Sequence, residues 1–148
     1  MKTSARLLLC AFALVCLAGC AGTHQYVPLP DQTKPIQNPG MARIYVMRPG
    51  SLGSAVSMDV TDGGTLIGKT GPKGILCWER QPGEIELVSE SENTYKLPLK
   101  VERGMVYYIK QHVRMGWLYA RTKLSLLSES EGKEMMAKCK LPSIELKE

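Results

Sequence analysis

The chain has 148 residues, 44% of them hydrophobic and 22% charged, and carries a formal net charge of +5 at pH 7. That length excludes two comfortable domains and suits one domain with a single core. Basic and acidic residues are interleaved from Lys69 to Lys147, so no block of like charge points to nucleic acid, and a solvated surface is the expectation.

In chain order, Lys2 and Arg6 form a charged start and Leu7 to Leu17 an apolar stretch of export-signal length, too short to span a bilayer. Leu17-Ala18-Gly19-Cys20 closes it and resembles the bacterial lipobox. In that motif the Cys thiol takes a diacylglycerol, a peptidase cuts before it, and the new amine receives an N-acyl chain. The resemblance implies that residues 1–19 are a lipoprotein signal peptide and that Cys20 is the lipidation site. Several acyl chains, at about 0.8 kcal/mol per buried methylene, hold a protein firmly to a bilayer. Loss of Lys2 and Arg6 lowers the formal charge to +3. Ala21, standing where Asp commonly retains lipoproteins in the inner membrane, implies an outer-membrane destination in the bacterial envelope.

Residues 20–40 carry Pro28, Pro30, Pro35 and Pro39 among polar residues with no apolar period, so neither helix nor ladder propagates. The expectation is a lipidated, Pro-rich tether reaching up to about 60 Å from the membrane.

From Met41 the pattern changes to period two. Ala42 to Arg48 alternates, with Ala42, Ile44 and Val46 on one face, and Pro49-Gly50 stops it. Ala55 to Thr61 and Thr65 to Lys69 flank Asp62-Gly63-Gly64, a tight hairpin signal. Gly74 to Glu79 and Glu84 to Ser89 follow, separated by Gln81-Pro82-Gly83. Tyr95 to Val101 is extended but holds Pro98, which assigns it to a sheet edge or bulge. Met105 to Val113 and Thr122 to Leu127 are the last strands. Ser128-Glu129-Ser130-Glu131 offers two caps and first-turn acids for a helix to about Lys138, with Gly132 a weakness in it. The fold expected is all-β, a mainly antiparallel small β-sandwich of about seven or eight strands with one short C-terminal helix. The domain spans 41–141 and a tail 142–148.

Cys77 and Cys139 are the two thiols left in an oxidising compartment, which suggests one disulfide closing a loop of about 60 residues, worth about 4 kcal/mol by chain entropy. The alternative is that Cys77, alternating with Ile75, is a small buried hydrophobe.

The order Ala42-Arg43-Ile44-Tyr45-Val46, Arg48-Pro49, Gly53-Ser54-Ala55, a Gly-containing hairpin, Pro82-Gly83, Gly104, Tyr107-Tyr108 and a closing acidic helix resembles the bacterial lipoproteins of the domain of unknown function 2846 family. The likeness covers roughly 41–141. Pro82-Gly83 before Glu84-Ile85-Glu86-Leu87 is similar to the recurring turn of the PEGA-type β-sandwich. Leu76 stands where the family usually has an aromatic. The resemblance implies a fold and no activity.

Chemistry is sparse. His24 falls in the tether and His112 at a strand end, without a signature that pairs a nucleophile and a carboxylate with it. No metal set is spaced for zinc, and no other cofactor is expected. Gly63 to Thr70 formally matches a phosphate-loop string ending in Gly-Lys-Thr, but it lies in strand-forming sequence without the following helix, so no nucleotide site is assigned. Glu84 with Glu86, and Glu129 with Glu131, read as solvated faces.

Gln111 to Arg121 is the best functional segment. Arg114, Trp117, Tyr119 and Arg121 combine guanidinium groups with aromatics in a strand connection, the composition of binding hot spots. Met115-Gly116 would let it bend, and the competing reading has Trp117 plugging the core end. The expected function is a non-catalytic, membrane-anchored envelope module that binds or scaffolds an envelope protein or glycan. The alternatives are a cell-wall hydrolase using His112 and an assembly subunit working by strand addition at Tyr95 to Val101.

Overall fold

The computed structural model describes residues 21–146. Ten strands and one helix follow in order: β1 (His24–Gln25), β2 (Ala42–Arg48), β3 (Met58–Asp62), β4 (Thr65–Thr70), β5 (Gly74–Arg80), β6 (Gly83–Glu90), β7 (Thr94–Val101), β8 (Val106–Met115), β9 (Ala120–Leu127), α1 (Glu129–Met136) and β10 (Ser143–Ile144). The architecture is all-β with one short C-terminal helix. A six-stranded sheet, β10-β1-β4-β3-β6-β7, faces a four-stranded sheet, β5-β2-β8-β9. Most pairs are antiparallel, while β2 with β8 and β1 with β10 run parallel.

Period two sets the layers. Ala42, Ile44 and Val46 of β2 meet Val60, Ile67, Leu76, Trp78, Leu87, Ile109 and Leu124 between the sheets. The other face of β2 is buried as well, because Tyr45 and Met47 join Ile75, Cys77 and Tyr108 in a second cluster on the outer face of the four-stranded sheet. Gly63 and Gly64 take positive φ in the β3–β4 hairpin, the conformation such a turn demands. β7 is an edge strand, and its Pro98 lies opposite Glu86.

Three expectations need correction. Residues 21–40 are not a free tether. β1 pairs with β4, and the fully buried Gln25 uses its side chain as a strand partner: Cys77 N donates to Gln25 Oε1 at 2.9 Å and Gln25 Nε2 donates to Cys77 O at 2.7 Å. Glycine makes room, since a Cβ at Gly71 or Gly74 would overlap Ala21 or Thr23. Val27 packs on the inner cluster and Leu29 on the outer one. The prolines block a ladder but not docking. Residues 142–146 likewise are not a loose tail, because β10 pairs with β1 and His24 Nδ1 meets Glu145 Oε1 at 2.6 Å.

The third correction concerns Cys77 and Cys139, which are free thiols. Cys77 is packed as a small apolar residue beside Tyr45 and Met47, and Cys139 lies at the rim of the same cluster. Burial pushes each thiol up to about 11. Counting thiols in a compartment says nothing about where their side chains are packed.

The helix ends at Met136 and covers the outer face of the four-stranded sheet. Ser128 caps it in a capping box with Glu131. Gly132 is the contact point, not a weakness: a Cβ there would run into the Tyr108 ring. Tyr108 in turn stacks on Tyr45, with ring centroids 5.4 Å apart.

Candidate functional site

β8 pairs with β2 only as far as Lys110, so beyond Gln111 the β8–β9 hairpin continues as two strands alone. Register places Arg114 opposite Arg121, His112 opposite Lys123 and Met115 opposite Ala120. The turn residues 116–119 close the arm, with Gly116 N donating to Tyr119 O at 3.1 Å. All four expected binding residues therefore sit on one element: Arg114 and Arg121 side by side on its outer face, Trp117 and Tyr119 at its tip. Trp117 does not plug the core. It is 93% exposed, next to Leu118 at 80%.

That exposure is held in place by a residue the sequence did not single out. Glu92, in the β6–β7 turn, accepts from Trp117 N through Oε1 at 2.8 Å, and from Leu118 N and Tyr119 N through Oε2 at 2.9 Å each. These donors hold its carboxyl below the usual range, helped by nearby Arg121. Gly116 leaves the space the Glu92 carboxylate occupies, and a side chain there would displace that carboxylate from the turn. Asn93 adds a two-way clamp on Thr122, donating to its O at 3.0 Å and accepting from its N at 2.7 Å, and Ser91 Oγ donates to Ala120 O at 2.7 Å. A Ser91-Glu92-Asn93 turn has an ordinary loop composition, and no local pattern announces these long-range contacts.

Under the arm the space between the sheets turns polar. Thr70 Oγ1 donates to Gln111 Oε1, Gln111 Nε2 donates to Ser89 Oγ at 2.7 Å, and the Ser89 and Thr122 hydroxyls share a hydrogen bond of 2.7 Å. Beside this chain lies Arg48, fully buried without a carboxylate partner. Its Nη1 donates to Val56 O and Thr70 O, and its Nη2 to Leu52 O and Gly53 O, at 2.7–3.0 Å. Desolvation lowers its pKa, and the four carbonyls compensate the charge. The loop after β2 is thus fastened against the base of the arm.

His112 lies on the outer face, where its Nε2 and Ser125 Oγ are 2.7 Å apart. A base beside a hydroxyl is the start of a hydrolytic pair, but burial lowers the pKa of this ring, and the charges acting on it, Lys110, Lys123 and Arg114, lower it further. An imidazolium here meets repulsion where a catalytic triad supplies a carboxylate. Gly68-Lys69-Thr70 lies inside β4 between antiparallel partners, with Lys69 Nζ 3.4 Å from Asp59. Cys20 lies outside the described residues. Among the described residues no His, Cys, Asp and Glu group is placed to hold a metal, and no helix is long and apolar enough to cross a membrane.

A second feature is a cleft of about 610 Å³ between the 27–31 segment and the β3–β4 turn, floored by Ile67 and Trp78. Its charges satisfy one another. Arg43 Nη2 meets Glu79 at 2.7 Å, Arg80 pairs with Asp62, and Asp62 also accepts from Trp78 Nε1 at 2.8 Å. The guanidinium and carboxylate groups named here are thus paired with one another across the cleft wall.

No family model and no solved structure matches the chain. An uncharacterized protein of Haemophilus influenzae is 29% identical over 100 residues, which are 67% of this chain and 60% of that protein. The chain therefore spans about 60% of the length of that relative.

Proposed function

We propose that this chain is a bacterial envelope lipoprotein of the domain of unknown function 2846 type, lipid-anchored through Cys20 in the outer membrane. Its β-sandwich is a non-catalytic module that contacts another envelope component, and sequence composition brings protein and glycan forward as partners. The observation that supports this reading best is the hairpin tip. A Trp that is 93% exposed on a turn clamped by Glu92 is a built presentation of apolar surface, and such surface marks interaction sites.

Photo-crosslinking in cells from positions 117 and 119, with Glu86 on the six-stranded sheet as control, tests it. A discrete adduct specific to the tip is the expected result; equal background from all three positions would sink the reading of the tip as contact surface. Mass spectrometry of the mature protein should find an acylated Cys20, and Cys20→Ala should leave the membrane fraction. The hydrolase alternative has one supporting observation, the His112–Ser125 contact, and a His112→Ala strain with full cellular function would eliminate it.

A further inference from the structure

We infer that the β8–β9 arm lies against the membrane that carries the lipid anchor, its apolar tip entering the interface and its basic face binding anionic phospholipid headgroups. This rests on the lipoprotein reading with the tip as contact surface, and it takes the membrane itself, in place of a protein or glycan, as the envelope component the tip contacts.

Three observations carry it. First, four large apolar side chains crowd the tip: Met115, Trp117, Leu118 and Tyr119 are all exposed. Trp and Tyr combine an apolar ring with a polar edge, which suits the headgroup level of a bilayer. A turn entering that level must not carry bare backbone donors, and the N–H groups of Gly116, Trp117, Leu118 and Tyr119 are all bonded, to Tyr119 O or to Glu92.

Second, the strands behind the tip carry Lys110, His112 and Arg114 beside Arg121 and Lys123 on the same face. Among the described residues no carboxylate forms an ion pair with any of the four Lys and Arg side chains. The acidic groups that feel them are Glu92, near Arg121, and Glu131, near Lys110. Arg114 directly opposite Arg121 is a repulsive cross-strand pair, relieved when an anion settles between the guanidinium groups. Phosphate suits that fork geometry.

Third, the chain enters the domain at this same end. The peptide nitrogen of Ala21, covalently joined to Cys20, donates to Ser54 O at 2.8 Å. Next to it, a Cβ on Gly53 would sit 3.3 Å from Ala120 Cβ and 3.5 Å from Val113 Cγ1, at the base of the tip. With residues 21–40 docked instead of spanning a gap, a lipid anchor joined to the chain through Ala21 N would tether the domain close to the base of the arm.

Fluorescence quenching tests this on the mature protein mixed with vesicles of phosphatidylcholine containing brominated acyl chains, with and without phosphatidylglycerol. Trp78 is buried in the core, so Trp117→Phe gives the background. The expected result is strong Trp117 quenching in phosphatidylglycerol vesicles, falling at least about fivefold for Arg114→Glu with Arg121→Glu, whose circular dichroism stays that of the wild type. Equal quenching in vesicles without phosphatidylglycerol overturns the headgroup assignment. A membrane-held protein whose Trp117 stays open to aqueous iodide overturns the inference while leaving the lipid anchor standing, and a protein or glycan adduct from position 117 in cells would then identify the partner instead. A mature protein that is neither acylated at Cys20 nor vesicle-bound overturns both.

Discussion

The outer face of the four-stranded sheet is divided into a roofed half and a bare half. Over Tyr45, Met47, Cys77 and Tyr108 the chain lays Leu29 and the residues of α1 and its exit, Met135, Met136 and Cys139. One step along β8, from Lys110 to Arg114, the roof ends and the side chains become basic. The inner layer changes at the same line: Ile44, Val46 and Ile109 lie beneath the roof, whereas Arg48, Thr70, Gln111, Ser89 and Thr122 lie toward the arm. A strand can thus serve the core with one half and a surface with the other. The polar inner layer can hold a two-stranded arm rigid through directional bonds where apolar contacts are few.

The comparison breaks most readily at Arg48. Arg48→Ala removes four hydrogen bonds to strand and loop carbonyls and opens a cavity, so unfolding in urea should show a loss of about 3–4 kcal/mol. Wild-type stability would mean that the loop after β2 does not depend on that cation. On the roofed side, Gly132→Ala forces a methyl against the Tyr108 ring. Overpacking of this kind costs about 1–3 kcal/mol, and the near-ultraviolet dichroism of the Tyr45–Tyr108 stack should weaken with it. A neutral substitution would mean that α1 does not seat on Gly132.

Much of this division can be read in the sequence, and some cannot. The strands follow from period two and from glycine turns, which are local properties, and the arm residues Arg114, Trp117, Tyr119 and Arg121 stand out by composition. Whether Trp117 turns inward or outward depends on Glu92, twenty-five positions away in another hairpin. Residues 21–40 look like a tether because their own pattern is silent. What docks them is Gln25 acting as a strand partner and glycines on β4, after it and at the start of β5, all of them distant in sequence. The Cys77–Cys139 bridge failed as an expectation for a related reason, since thiol counting ignores the packing that makes Cys77 an ordinary core residue.

The finest difference between the halves is electrostatic: the roofed half keeps its shape by packing, the tip by one carboxylate. Three backbone donors lower the pKa of Glu92 from its ordinary value of 4.5. A depressed carboxylate contributes order that is fully present above its unfolded pKa and is lost as pH falls through the folded one. Lowering the pH below about 4.5 should therefore shift the amide resonances of Trp117, Leu118 and Tyr119 together, with a midpoint on the acid side of that value, while the Tyr108 and Tyr45 resonances stay in place. In Glu92→Gln the three amides should be displaced at neutral pH and stop titrating, because the amide group sets an N–H donor against other donors. If the three resonances in the wild type titrate separately, or not at all, Glu92 is not what holds the aromatic tip outward.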